Sequence, residues 1–424
     1  MTLQEVKSSI QAGKYDKDFL MLYGETEKAR ARYLAACEEF EKIYINTNNI
    51  RIFSAPGRTE VGGNHTDHQH GSVIAGSVDM DVIAVVGTND DNIIRVKSKG
   101  YDMDVVNVGE FDIRQKEKGR AISLTRGVCL KFADLGFKIG GFNAYTTSNV
   151  LRGSGLSSSA AFEVLLGNIV NGLFAEGKVE PIEIAKIGQY AEREYFGKPC
   201  GLLDQMASSL GGLTYADFNN PNEPITEKIN LDIRDFGYTL CVVDTGGNHA
   251  NLTQDYADIT IECKQISNAL GVEFLRDADV NKFYASLASL RKEFGERAVL
   301  RAFHFFNEQE RVLKQRETLL KGDFKTFLKL VNQSGQSSFD YLQNLYSTTA
   351  VKEQGLSLAI ALTKQFLGDE GACRVHGGGF AGTIQCYIPT KRLDNYKQMI
   401  EAVYGEGSCS VLSIRPVGGY EIEL

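Results

Sequence analysis

Four stretches of this chain carry residue types suited to chemistry. Residues 151–164, LRGSGLSSSAAFEV, run from glycines and serines into apolar positions at helical spacing: Phe162, Leu165, Leu166, Ile169, Val170, Leu173 and Phe174. Glycine lets a backbone approach an anion, and the start of a helix leaves N–H groups unpaired. A serine hydroxyl there caps the helix or ligates a phosphate-bound magnesium ion. The letters alone fit a phosphate loop and equally a turn that caps a buried helix. Residues 55–71, APGRTEVGGNHTDHQHG, crowd Arg58, Glu60, Asn64, His65, Asp67, His68, Gln69 and His70 among glycines. That density of donors and acceptors suits a polyhydroxy ligand, and it also suits a polar hairpin loop. A metal site built from His65, Asp67, His68 and His70 is the weaker alternative. Their spacing is not the i, i+4 of a helical ligand pair, and no partner Cys/His pair stands elsewhere.

Residues 191–205, AEREYFGKPCGLLDQ, hold two carboxylates, Glu192 and Asp204, on either side of a glycine-bearing turn. One could ligate magnesium while the other orients or deprotonates a hydroxyl, the division of labour phosphoryl transfer requires. Without that context, Glu192 reads as part of a solvated helix face and Asp204 as the N-cap of a helix through residues 206–210. Residues 374–382, RVHGGGFAG, satisfy a dinucleotide fingerprint by letters, but a strand follows where that fold needs a helix, so the reading is rejected. A loop passing close to a ligand or to another backbone fits better. No GxxxxGK[ST] motif occurs, so any nucleotide loop here is of another class.

The elements that must position these residues follow from pattern. Residues 1–45 are charged and helical, best at 29–44. Strands are predicted at 50–54, 72–86, 93–98, 101–108 and 141–147, with a helix at 124–135 and another opened by Pro181 and closed by Gly197. The polar, proline-bearing stretch 219–226 is the predicted domain boundary. Beyond it come a strand at 238–244, a long helical region over 252–361 with polar breaks, and strands at 383–388 and 411–415. This irregular alternation predicts a mixed α+β pair of domains, and 424 residues suffice for two or three. A net charge of -8 argues against nucleic acid or an anionic membrane as partner. The eight cysteines lack metal spacing and sit among apolar neighbours, as reduced core residues do. With no apolar signal core at the N-terminus and no apolar run of bilayer length, a cytoplasmic protein is expected.

In their order and spacing, the four stretches resemble the GHMP kinases, the superfamily of galactokinase, homoserine kinase and mevalonate kinase, and most closely the galactokinase family. Residues 151–164 are similar to its GLSSSAA phosphate loop, residues 55–71 to its signature GRxNxIGEHTDYxxG, residues 200–205 to CGxxDQ, and residues 376–382 to GGGFGG. The resemblance runs from about residue 25 and leaves residues 1–24 as an extension. It implies an α+β, two-domain GHMP kinase fold. A ribosomal-protein-like α/β domain would span 25–218 and a ferredoxin-like domain 219–424, the last strand free to return to the first domain. The active site would lie between them. ATP and Mg2+ are implied, with an aldose converted to its 1-phosphate.

Carried over residue by residue, the resemblance makes Asp204 catalytic with Arg58 as its partner. It gives Asn64, His65, Asp67, Gly201 and Tyr256 to the sugar, and Gly153, Ser154, Gly155, Leu156, Ser157, Ser158, Ser159 and Ala160 to the ATP phosphates. Ser159 and Glu192 would hold magnesium, with Gly377, Gly378 and Gly379 packed beside the site. The expected partners are small molecules, with no nucleic acid and no membrane, and the expected state is a monomer or weak dimer. Two departures stand out: Asn64 replaces the signature glutamate and His68 its tyrosine. In the family that glutamate receives the sugar's C6 hydroxyl, and Asn64 offers an amide instead. Galactose is expected first, because Tyr256 and the His-Thr-Asp triplet are kept. Galacturonate is the alternative, since its kinases also lack the glutamate and carry a triplet like Asp67-His68-Gln69. A non-catalytic sensor of galactose and ATP is the alternative of another class.

Overall fold

The computed structural model describes every residue except 46, 151–154, 248–251 and 424. The chain opens on three helices, α1 (Leu3–Gln11), α2 (Asp16–Tyr23) and α3 (Glu27–Ile43). A capping box of Thr2 and Glu5 starts α1, and Gly24 in the left-handed region ends α2. Then follow β1 (Asn48–Gly62), β2 (Ser72–Thr88), β3 (Ile93–Ser98), β4 (Met103–Asn107), α4 (Ala121–Asp134), β5 (Phe142–Ser148), α5 (Ser158–Ala175) and α6 (Pro181–Tyr190). A π-helical continuation, Ala191–Phe196, leads to α7 (Leu203–Leu210), β6 (Leu213–Asp217) and β7 (Ile225–Ile229). The second half runs β8 (Tyr238–Asp244), α8 (Thr253–Ala269), α9 (Val280–Ala285), α10 (Leu287–Leu320), α11 (Phe324–Ser337), α12 (Gly355–Leu367), β9 (Ala372–His376), β10 (Thr383–Pro389), α13 (Leu393–Tyr404), β11 (Cys409–Leu412) and β12 (Tyr420–Ile422).

The larger sheet has the order β12-β1-β2-β5-β3-β4. The first half of β2 pairs with β6, which pairs in turn with β7. Alternate side chains of its central strands serve two cores, as the period of two dictates. Phe53, Ala55, Val82, Ala84 and Val86 pack with α4 and α5, whereas Ile50, Ile52, Ile83 and Val85 pack with α1, α2 and α3. Coverage on both faces explains why β2 reads as an almost unbroken apolar run. The N-terminal helices therefore form a layer of the domain. Their Tyr23 hydroxyl donates to Asp81 at 2.6 Å, and Arg32 pairs with the same fully buried carboxylate.

The smaller sheet, β11-β8-β10-β9, repeats the scheme. Cys241, Cys373, Cys386 and Cys409 face α12 and α13, while Leu240, Val242, Tyr387 and Leu412 face α11. Helix α5 is long and apolar enough to cross a membrane by length and composition, but 61% of it is buried in the domain. It is the central core helix.

The fold is mixed α+β in two lobes, and three local expectations change. Residues 219–226, expected as a domain boundary, are largely the connection of the β6–β7 hairpin, and both strands belong to the larger sheet, so the chain leaves that sheet only after Ile229. The strand expected at 411–415 ends at Leu412, and the chain then crosses back to lay β12 against β1. That strand is three residues long, too short for pattern to register. Asp204 lies inside the first turn of α7, whose N-cap is Leu202, so it is no cap.

Candidate active site

Strand β1 runs directly against the start of α5. The Arg58 N–H donates to the Leu156 carbonyl at 3.0 Å, and the Arg58 guanidinium also holds the Gly155 carbonyl. Gly155 has φ +69, and a Cβ there would stand 2.8 Å from Nδ1 of His376, so glycine is required on both counts. Ser157 is the N-cap of α5, but its hydroxyl makes no capping bond. It donates instead to Oδ2 of Asp204 at 2.5 Å, while Nε of Arg58 donates to Oδ1 at 2.7 Å. The uncapped first-turn N–H groups of α5 thus point past Ser157 with no partner inside the helix. Burial pushes the Asp204 carboxyl up, but Arg58, Ser157 and Lys198 together hold it below the ordinary carboxylate range. Its side chain is 35% exposed, so it faces open space.

Beside this pair lies a second carboxylate cluster. Ser159 donates to Oε1 of Glu192 at 3.3 Å, and Lys198 approaches the same oxygen at 2.8 Å. The Gln205 amide forks between Oε2 of Glu192 and Oε2 of Glu163, each at 2.8 Å. Burial, then the charge of Glu192, pushes Glu163 well above the ordinary carboxylate range. A carboxylate and a hydroxyl side by side at a helix start fit magnesium, which takes a few oxygen ligands and completes its shell with water and phosphate. Among the described residues no group of three or more His, Cys, Asp or Glu side chains could hold a metal alone. His65 and His70 of residues 55–71 are engaged elsewhere: His65 bonds the Gly378 carbonyl at 2.8 Å, and His70 stacks on Phe274.

With this geometry in hand, similarity to known proteins becomes informative. The family model described as "GHMP kinases N terminal domain" matches residues 123–212, and "Galactokinase galactose-binding signature" matches residues 38–88. A galactokinase of Lactobacillus helveticus is 30% identical over 382 residues, spanning 87% of this chain and 94% of that protein. The chain belongs to the galactokinase family. It is a sugar kinase, a phosphotransferase of the GHMP superfamily, and its family uses ATP as substrate. A Clostridium tetani galactokinase is 29% identical over 373 residues, 87% of this chain and 91% of that one. In fold, the chain is similar to Lactococcus lactis galactokinase solved with galactose: TM-score 0.77, 21% identity, 92% of this chain and 99% of that one. It is also similar in fold to Methanococcus jannaschii mevalonate kinase: TM-score 0.61, 15% identity, 87% and 99% covered.

In this galactokinase-family chain the other expected positions fall as follows. Asp67 lies against Gly201, where any Cβ would overlap its carboxylate. Burial, then Asp204 and Glu60, raises Asp67 to about 6. His65 and Tyr256 both hold the glycine loop, the Tyr256 hydroxyl donating to the Gly379 carbonyl at 2.9 Å. Gly377 accepts from Asn64 at 2.7 Å. Gly153 and Ser154 lie outside the described residues. Asn64 calls for a correction as a direct sugar contact. It is fully buried, and its amide donates to Glu60 at 3.0 Å and to Gly377. Its oxygen accepts from Asn344 at 2.9 Å and Ser338 at 3.3 Å, so every position is taken. Glu60 in turn pairs with buried Arg374. Relative to the signature, carboxylate and amide have exchanged places four residues apart. Sequence reasoning gave no role to Glu163 or Lys198. Glu163 had a signal: it is the lone charge in an apolar helix and sits four residues after Ser159.

Proposed function

We propose that this sugar kinase transfers the γ-phosphoryl group of ATP to the anomeric hydroxyl of galactose. The observation that carries the reading is the grip on Asp204. Arg58 from β1 and Ser157 from the start of α5 each take one oxygen of that carboxylate. An ionised Asp204 beside a helix start can accept or orient the hydroxyl proton, while Arg58 and the first-turn N–H groups oppose the charge of the transferring phosphoryl. Magnesium, held by Glu192 and Ser159, would neutralise phosphate charge and fix the donor geometry. Asp67, set against Gly201, accepts ring hydroxyls.

Galactose is favoured over galacturonate because Tyr256 and the triplet His65, Thr66 and Asp67 of the signature are kept. ADP release from magnesium-ATP, measured with galactose, galacturonate and other hexoses, tests the reading. Galactose is expected to turn over with kcat/KM roughly tenfold or more above galacturonate, the discrimination a mispaired buried charge gives. A reversed preference transfers the assignment to uronates. Binding of galactose and ATP without turnover transfers it to a sensor.

A further inference from the structure

Lys198 belongs to no part of the mechanism above, yet it stands inside it. The π-helical segment closes on Gly197, and the N–H groups of Gly197 and Lys198 both return to the Glu192 carbonyl, at 3.0 and 3.1 Å. With its main chain pinned there, Lys198 folds its side chain back onto Oε1 of Glu192 at 2.8 Å. The pair is lopsided: the lysine side chain is 56% exposed and the glutamate 4%. The ammonium is half in solvent, while the buried Glu192 carboxylate needs a cation beside it, so Lys198 is free to leave when another cation takes its place. The Ser159 hydroxyl shares the same oxygen at 3.3 Å. A dication ligated by Glu192 and Ser159 would therefore take the position the ammonium holds.

We propose that Lys198 is a phosphate-binding cation of the loaded site: it neutralises Glu192 until magnesium arrives, then swings to the nucleotide's phosphates at the start of α5. This rests on the phosphoryl-transfer reading. The stem is flexible, Pro199 and Gly197 hold its base, and the charge of Lys198 already reaches Asp204 across the site. A lysine placed this way acts as a point charge on phosphate, complementing the fixed fork of Arg58.

Three measurements on Lys198→Met and Lys198→Arg test the proposal. They are kcat with galactose at saturating magnesium-ATP, the sugar KM, and the affinity for magnesium-ATP by calorimetry without sugar. For Lys198→Met, kcat falls roughly tenfold or more, affinity for magnesium-ATP weakens several-fold, and the sugar KM stays within about twofold. Lys198→Arg recovers most of both losses. Parent-like kcat and ATP affinity in Lys198→Met overturn the proposal, as does a Lys198→Arg variant impaired as badly as Lys198→Met. If the parent protein turns over no sugar at all, the reading beneath the proposal has failed instead.

Discussion

Asn64→Glu restores the signature letter, and the structure predicts that it destabilises the protein instead of improving sugar contact. The new carboxylate would replace an amide that donates to Oε1 of Glu60 at 3.0 Å and to the Gly377 carbonyl at 2.7 Å. Two donors become two acceptors in a fully buried position. Two carboxylates about 4 Å apart repel by about 4 kcal/mol at an effective dielectric constant near 20. The alternative is to bind a proton. At pH 7 that costs about 1.36 × (7 − 4.3), or about 3.7 kcal/mol, so the two routes agree. The lost hydrogen bonds add roughly 1 to 3 kcal/mol that does not depend on pH. The folded pKa of the introduced group is raised, so its penalty grows as pH climbs above the unfolded value near 4.3. At pH 5 the protonation cost is only about 1 kcal/mol. Urea unfolding of parent and variant at pH 5 and pH 7 reads the difference, expected to be about 3 kcal/mol larger at pH 7. Asn64→Ala, which loses the bonds without adding charge, should show no such pH dependence. A cost for Asn64→Glu that is equal at the two pH values, or under about 1 kcal/mol at pH 7, would refute the buried Glu60–Asn64 contact.

Asp204→Asn should abolish transfer, by a factor of roughly a thousand or more in kcat, while ATP binding by calorimetry survives because the proposed phosphate contacts lie at α5. Asp67 titrates near 6 and Asp204 below its ordinary range, so a rise in sugar KM below about pH 6 belongs to Asp67. A pH profile of KM is expected to lose that limb in Asp67→Asn; a limb that persists assigns it to another group. Gly201→Ala places a methyl against the Asp67 carboxylate and should raise the sugar KM several-fold with kcat within about threefold. Unchanged KM would separate Asp67 from the sugar.

Much of this site was legible because its parts are local. The serine-rich loop before α5, the Asp204 turn and the glycine loop each announce themselves in a few consecutive letters, and β8 and β3 were placed to the residue. What failed depends on contacts far apart in the chain. Whether Ser157 caps α5 or reaches Asp204 is decided by α7 arriving beside it, 47 residues on. Asn64 reads as a pocket residue until Asn344 and Ser338, more than 270 residues later, claim its oxygen. The boundary at 219–226 was read from composition, but the turn of a hairpin and a linker share proline and polar residues. The N-terminal helices became part of a domain because the apolar alternation of β1 and β2 needs cover on both faces.

The central claim is that Asp204, gripped by Arg58 and Ser157, presents a sugar's anomeric hydroxyl to the phosphates at α5. Phosphorus NMR of the product formed from galactose and magnesium-ATP tests it most directly. The account predicts a single new sugar phosphate whose phosphorus couples to the anomeric proton, formed one for one with ADP and absent with Asp204→Asn. Coupling to a proton on any other ring carbon, or undiminished product from Asp204→Asn, would contradict it.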